Sequence, residues 1–165
     1  MKCKNGSRFE AISDMLRSAD EFLEISHNNK TFIPNFVNMA FASELYLKTI
    51  LYCRTGKYPT THNLEDLYMI LINNIEEKEL LAIIGDKINS SFSFDYPKDD
   101  ILKVKDDLLL MFNKHKYLFE EWRYIFEGKI PKPYIVDMTL KSFAQALKVY
   151  VTTMVINEPN NPLKE

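Results

Sequence analysis

A chain of 165 residues is long enough to bury one hydrophobic core and suits a single domain. Its 46% hydrophobic and 27% charged residues exclude a disordered polar chain, and a formal net charge of -2 gives no global pull toward nucleic acid or an acidic membrane. Two cysteines, Cys3 and Cys53, with no CxxC spacing, exclude a disulfide framework and a zinc knuckle.

The N-terminal "MKCKNGSRFEAISDML" turns amphipathic at once and lacks the apolar stretch of a signal peptide. Ser7 to about His27 carries Phe9, Ile12, Leu16, Ala19, Phe22, Leu23 and Ile25 on a helical stripe with a charged reverse face. "SHNNKTFIP" breaks that helix, and Pro34 sits where the next one can begin, since its missing N–H costs nothing there. The second helix, about Pro34 to Arg54, is apolar nearly all round, as in a central helix covered on several sides. It holds Glu44 and Lys48 and is too interrupted to span a bilayer. A cytoplasmic protein without membrane attachment is expected.

"TGKYPTTHN" is a loop punctuated by Gly56 and Pro59, and Thr61 or Asn63 can cap the helix "LEDLYMILINNI". A short helix, "EEKELLAIIGDKI", leads into the polar, aromatic loop "NSSFSFDYPKDD". From about Lys98 a long helical pattern resumes, with a bend expected near His115, and Gly128 with "KIPKP" ends it. A last helix is expected over about Asp137 to Ile156, and residues 159–165 read as a flexible C-terminal tail after a single helical domain, 1–158. No strand alternation persists and no fixed repeat occurs, so the expected fold is an all-α up-and-down bundle of five or six helices.

Two charged constellations stand out. Glu44 and Lys48 are four residues apart, share a helix face and have apolar neighbours on the helix wheel. Burying either charge alone is expensive. They form either an ion pair at the edge of the core or a pair lining a cleft whose second wall is another helix. In "FEEWRYIFEG", Phe119 to Gly128, the residues Glu120, Arg123, Tyr124 and Glu127 share one face, while Trp122 lies with the apolar residues on the other. That face is either a solvated ladder worth a few tenths of a kcal/mol per rung or a guanidinium beside a stacking platform. His62 stands at a loop-to-helix junction, where it can cap, bond a backbone group or do acid–base work. The sequence contains no HExxH, DxD, GxxxxGK[ST], GxSxG or GxGxxG, so no metal, cofactor or phosphate-loop chemistry is expected.

Three pieces in order, "AFASELYLKTIL" (Ala40 to Leu51), "HNLEDLY" (His62 to Tyr68) and "FEEWRYIFE" (Phe119 to Glu127), resemble bacterial HEPN-domain proteins. The match is to the group with A-x-E-x-x-L-K, H-[DN]-L-x-x-L and W-R-Y-x-x-E helices, and it spans roughly Pro34 to Glu127. The resemblance implies a helical bundle that dimerises. It also implies metal-independent endoribonuclease activity, partnership with a nucleotidyltransferase, or binding of RNA or nucleotides in a toxin-antitoxin or defence setting. Active members carry an Arg, a polar residue and then a His after four to six intervening residues. Here Arg54 and His62 have seven residues between them, within a loop, and no histidine follows Arg123.

The resulting expectation is a homodimeric HEPN-like binding or regulatory protein that lacks the standard ribonuclease motif. Its polar network or ligand site comprises Glu44, Lys48, His62, Trp122, Arg123, Tyr124 and Glu127. The alternatives are a divergent metal-independent endoribonuclease using His62 with Arg54 or Arg123 as catalytic residues, and a purely structural scaffold. The surplus of aromatics, 11 Phe and 9 Tyr, adds to the expectation of a dimer interface.

Overall fold

The computed structural model describes residues 5–28, 32–73, 77–91, 100–115 and 138–157. Among these, every regular element is a helix: α1 (Asn5–Asn28), α2 (Phe32–Thr55), α3 (Leu64–Ile72), α4 (Glu77–Ser91), α5 (Ile101–His115) and α6 (Met138–Asn157). The all-α bundle expected from the apolar spacing is therefore the fold observed. Phe119 to Gly128, and with it Trp122, Arg123, Tyr124 and Glu127, lies outside the described residues, as does the stretch 159–165.

The helix without a polar face occupies the middle. α2 packs against α1, α6 and α3, and α6 packs in turn against α4 and α5. Covering α2 from several sides buries Phe36, Met39, Ala40, Ala42, Tyr46, Leu47, Ile50 and Leu51. The polar residues caught in this apolar rod need internal partners. Ser43 Oγ donates to the Met39 carbonyl at 2.8 Å, and Thr49 Oγ1 donates to the Leu45 carbonyl at 2.8 Å. Both bonds run one turn back along the same helix and cost the fold no further partner. Glu44 has no such local remedy and must be answered from elsewhere.

α2 begins at Phe32, two residues before Pro34. Pro34 still falls in the first turn, where backbone N–H groups have no acceptor inside the helix, so proline does no harm there. At the other end of the bundle, Tyr68, Phe112 and Phe143 join α3, α5 and α6. Phe112 meets Phe143 edge-on at 5.3 Å and Tyr68 at 5.2 Å. All three are fully buried, and such aromatic pairs add about 0.5–1.5 kcal/mol beyond their buried area.

The α2–α3 connection is ordered residue by residue. Gly56 takes φ +70, and its N–H bonds the Tyr52 carbonyl at 2.8 Å, which ends α2 in the left-handed conformation that favours glycine. Asn63 caps α3, its side-chain oxygen accepting from the N–H groups of Glu65 and Asp66. Thr61 Oγ1 accepts from the Asn63 N–H at 3.1 Å and donates to Asp66 at 3.3 Å. Of the two candidate caps Asn63 is the one used, with Thr61 bracing it, and the acidic first turn of α3 suits the helix dipole. Replacing Asn63 by Ala is expected to lower stability by about 1 kcal/mol, read as a shift of the urea midpoint at unchanged slope.

Candidate functional site

His62 lies between Asn63, which caps α3, and Thr61, whose hydroxyl accepts from the Asn63 N–H. Their bonds set the direction in which its ring leaves the loop. The ring reaches α2, where His62 Nδ1 is 2.9 Å from Glu44 Oε1. Lys48 Nζ donates to the same oxygen at 2.8 Å. The three charge-bearing side chains expected at the Pro34 to Tyr68 end of the motif set thus form one cluster. The second wall of the site is the α2–α3 loop.

The burial is graded. The Glu44 side chain is 6% exposed, Lys48 13% and His62 74%. A carboxylate taken this far from water needs paired charge and hydrogen bonds together. Oε1 receives both donors, while Oε2 is buried with no hydrogen-bond partner among the described residues. An unsatisfied buried acceptor of this kind costs about 1–3 kcal/mol. The carboxylate accepts, so the hydrogen between it and the ring belongs to Nδ1, and Nε2 is the nitrogen left basic. The arrangement orients an imidazole with a buried carboxylate and places an ammonium beside it. It can accept a proton or a hydroxyl hydrogen at Nε2 and can face an anion with Lys48.

Glu44, Lys48 and Tyr52 follow one another at four-residue intervals and lie along one side of α2. The loop runs back over this side. Tyr58 stacks on Tyr52 with ring centroids 4.0 Å apart and planes 4° from parallel. The site is therefore a strip clamped at two points: aromatic at the end of α2 and ionic at Glu44. No spacing rule applied to the sequence points to the tyrosine stack, because it depends on the path of the loop.

Arg54 is not brought to His62. It stands ten residues beyond Glu44, about 15 Å along the helix axis and about 120° around it from Lys48. It is exposed at the helix end. The polar residues of the Phe119 to Glu127 piece lie outside the described residues. Among the described residues no group of three His, Cys, Asp or Glu side chains can hold a metal ion. Nor is any helix among them long and apolar enough to cross a membrane.

A second polar cluster ties α1, α2 and α6 together. Asp20 Oδ1 accepts from the Tyr46 hydroxyl at 2.5 Å and from Lys148 Nζ at 2.9 Å. Burial, and then the Asp20 carboxylate, push the Tyr46 hydroxyl well above the ordinary phenol range. Tyr46 is two residues from Glu44, so the two clusters leave α2 in opposite directions. Nearby, partial burial and then the Lys141 and Lys148 ammonium groups hold His27 below the ordinary histidine value of 6.5.

The ion pair and His27 each have a measurable consequence. Lys48→Met leaves the Glu44 charge buried with His62 as its one remaining donor and is expected to destabilise by about 3 kcal/mol. The double variant Glu44→Leu with Lys48→Met is expected to recover most of that loss, as read in a denaturant double-mutant cycle. For His27 the sign follows from its lowered folded value. Above pH 6.5 the ring is neutral in both states and contributes nothing. As pH falls below 6.5 the unfolded chain takes up the proton first, so stability drops. That part of the drop should vanish in His27→Gln, read as the urea midpoint against pH.

Comparison with protein-family models, with curated proteins and with solved structures finds no match to the chain.

Proposed function

We propose that the protein is a HEPN-like helical binding module whose recognition site is Glu44, Lys48 and His62, and whose ligand is RNA or a nucleotide. The observation that carries this reading is the hanging of an exposed imidazole on a buried carboxylate that also holds Lys48. A scaffold that needs only to fix helix register has no use for the exposed ring. It would be served as well by a second helix residue, without leaving Glu44 Oε2 unsatisfied. A ligand gives these groups a purpose: the edge of the ring away from Glu44 is exposed, beside the ion pair that holds it.

In this reading the chain binds or regulates without cutting. The standard arginine-to-histidine spacing is missing, and Arg54 is held away from His62. The wider setting that accompanies the reading is a homodimer in a toxin-antitoxin or defence system, with a nucleotidyltransferase as candidate partner.

One observation favours a second reading, a metal-independent endoribonuclease. A histidine oriented through Nδ1 by a buried carboxylate is the arrangement that general acid–base catalysis uses. It still needs a cation to stabilise the pentavalent phosphorus, and Lys48 is already paired with Glu44.

End-labelled RNA incubated with the protein in EDTA separates the readings. The expected result is retention of the RNA on the protein without cleavage, with retention reduced about tenfold or more in His62→Ala. Cleavage by the wild type that His62→Ala abolishes would transfer the case to the ribonuclease. Neither binding nor cleavage by a wild type with an intact helical spectrum would leave the scaffold.

A further inference from the structure

We infer that the groove between α1 and α6 binds a phosphate monoester through His27, Lys141 and Gln145. The groove lies on the Tyr46 side of α2, away from Glu44, and its ligand is independent of the RNA or nucleotide proposed there.

α1 and α6 both pack on α2 and meet one another little, so α2 floors the space between them. One rung across that space is closed. Lys148 Nζ on α6 pairs with Asp20 Oδ1 on α1 at 2.9 Å, and the Tyr46 hydroxyl donates from the floor to the same oxygen. His27 stands seven residues after Asp20, and Lys141 seven before Lys148. Seven residues make almost two whole turns, so each keeps its own helix face while moving about 10.5 Å along the axis. Of the two ammonium groups Lys141 acts on the His27 ring more strongly, which sets His27 across from Lys141 and runs α1 antiparallel to α6. Gln145, between the two lysines, falls on the same face of α6.

The second rung offers donors and no anion. Among the described residues none of the His27, Lys141 and Gln145 side chains makes a hydrogen bond or ion pair. Asp20 is taken by Lys148 and Tyr46, and Glu24, exposed one turn before His27, bonds neither the ring nor Lys141. His27 is exposed and Lys141 half-buried, so a small ligand reaches both from water. Facing groups of like charge repel, and a tetrahedral dianion between them turns that repulsion into attraction. Lys141 supplies one positive charge and the Gln145 amide a neutral donor. The second positive charge comes from His27. Burial and the two ammonium groups keep its free ring neutral near neutral pH, so it takes up a proton together with the ligand. Two positive charges match a phosphate monoester, whereas the diester of a nucleic-acid backbone carries a single negative charge. Lys148 stays with Asp20 and is not needed as a contact.

The test follows the His27 ring resonance of the full chain by NMR across pH at one fixed ionic strength, the resonance being assigned by its loss in His27→Gln. Sulfate is the pH probe, because it stays a dianion over the whole range. Saturating sulfate should raise the His27 midpoint, since an anion beside the ring favours its charged form, and sulfate affinity should rise as pH falls through that midpoint. Inorganic phosphate should compete with sulfate, and dimethyl phosphate, with one charge fewer, should bind about fivefold more weakly or worse. Lys141→Gln should raise the midpoint of the free ring and weaken sulfate about fivefold or more, with a helical spectrum like the wild type's. Lys57→Gln, an exposed lysine of the α2–α3 loop, should bind as the wild type does. The inference falls if sulfate leaves the His27 midpoint in place, if Lys141→Gln binds as the wild type does, or if Lys57→Gln loses as much as Lys141→Gln. Dimethyl phosphate binding as tightly as inorganic phosphate would overturn the choice of a monoester. None of these results bears on His62→Ala and RNA, so the two sites fail separately.

Discussion

A single buried carboxylate organises this molecule around its central helix. Glu44 sits in a rod whose buried hydroxyls Ser43 and Thr49 bond to their own backbone one turn away, which a carboxylate cannot do. It has to recruit donors from outside its own turn. Lys48 comes from the same helix and His62 from the next loop, and both converge on one oxygen. Local secondary structure is thereby linked to a long connection: the path of the loop over α2 is set by caps at one end, a stack at the other and this charge between them.

The two faces of α2 use the same physics for different ends. On one side Asp20, Tyr46 and Lys148 lock three helices together, with a tyrosine hydroxyl buried against a carboxylate. Every polar atom there that is named in a bond answers another protein atom, which is the signature of a structural tie. On the other side, one carboxylate oxygen has no donor among the described residues, and most of the imidazole faces water.

Much of this was legible from residue order. The 3.6-residue periodicity marks the helices because a one-sided apolar stripe has few other uses, and the all-round apolar character of α2 marks it as central. The Glu44–Lys48 pair follows from four-residue spacing, since helical geometry alone puts those side chains together. The cap at Asn63, one of the two candidates, follows from the preference of short polar side chains for unsatisfied N–H groups. α2 starts two residues before Pro34, because proline is tolerated throughout a first turn and so marks a helix start only loosely.

Other features belong to the tertiary structure. Asp20 and Tyr46 are 26 residues apart on different helices, and nothing in either segment names the other as partner. The Tyr52–Tyr58 stack requires a loop that reverses at Gly56 and brings the second ring back onto the first, a path that composition does not encode. The sequence by itself determined which segments are helices, which helix must be buried and which charges cannot be left alone, because those follow from local geometry and from the cost of removing charge from water. Only the packed structure decided that His62 joins Lys48 on Glu44 and faces outward while doing so. Those outcomes depend on how separate helices and one loop share space, and no periodicity along the chain records that.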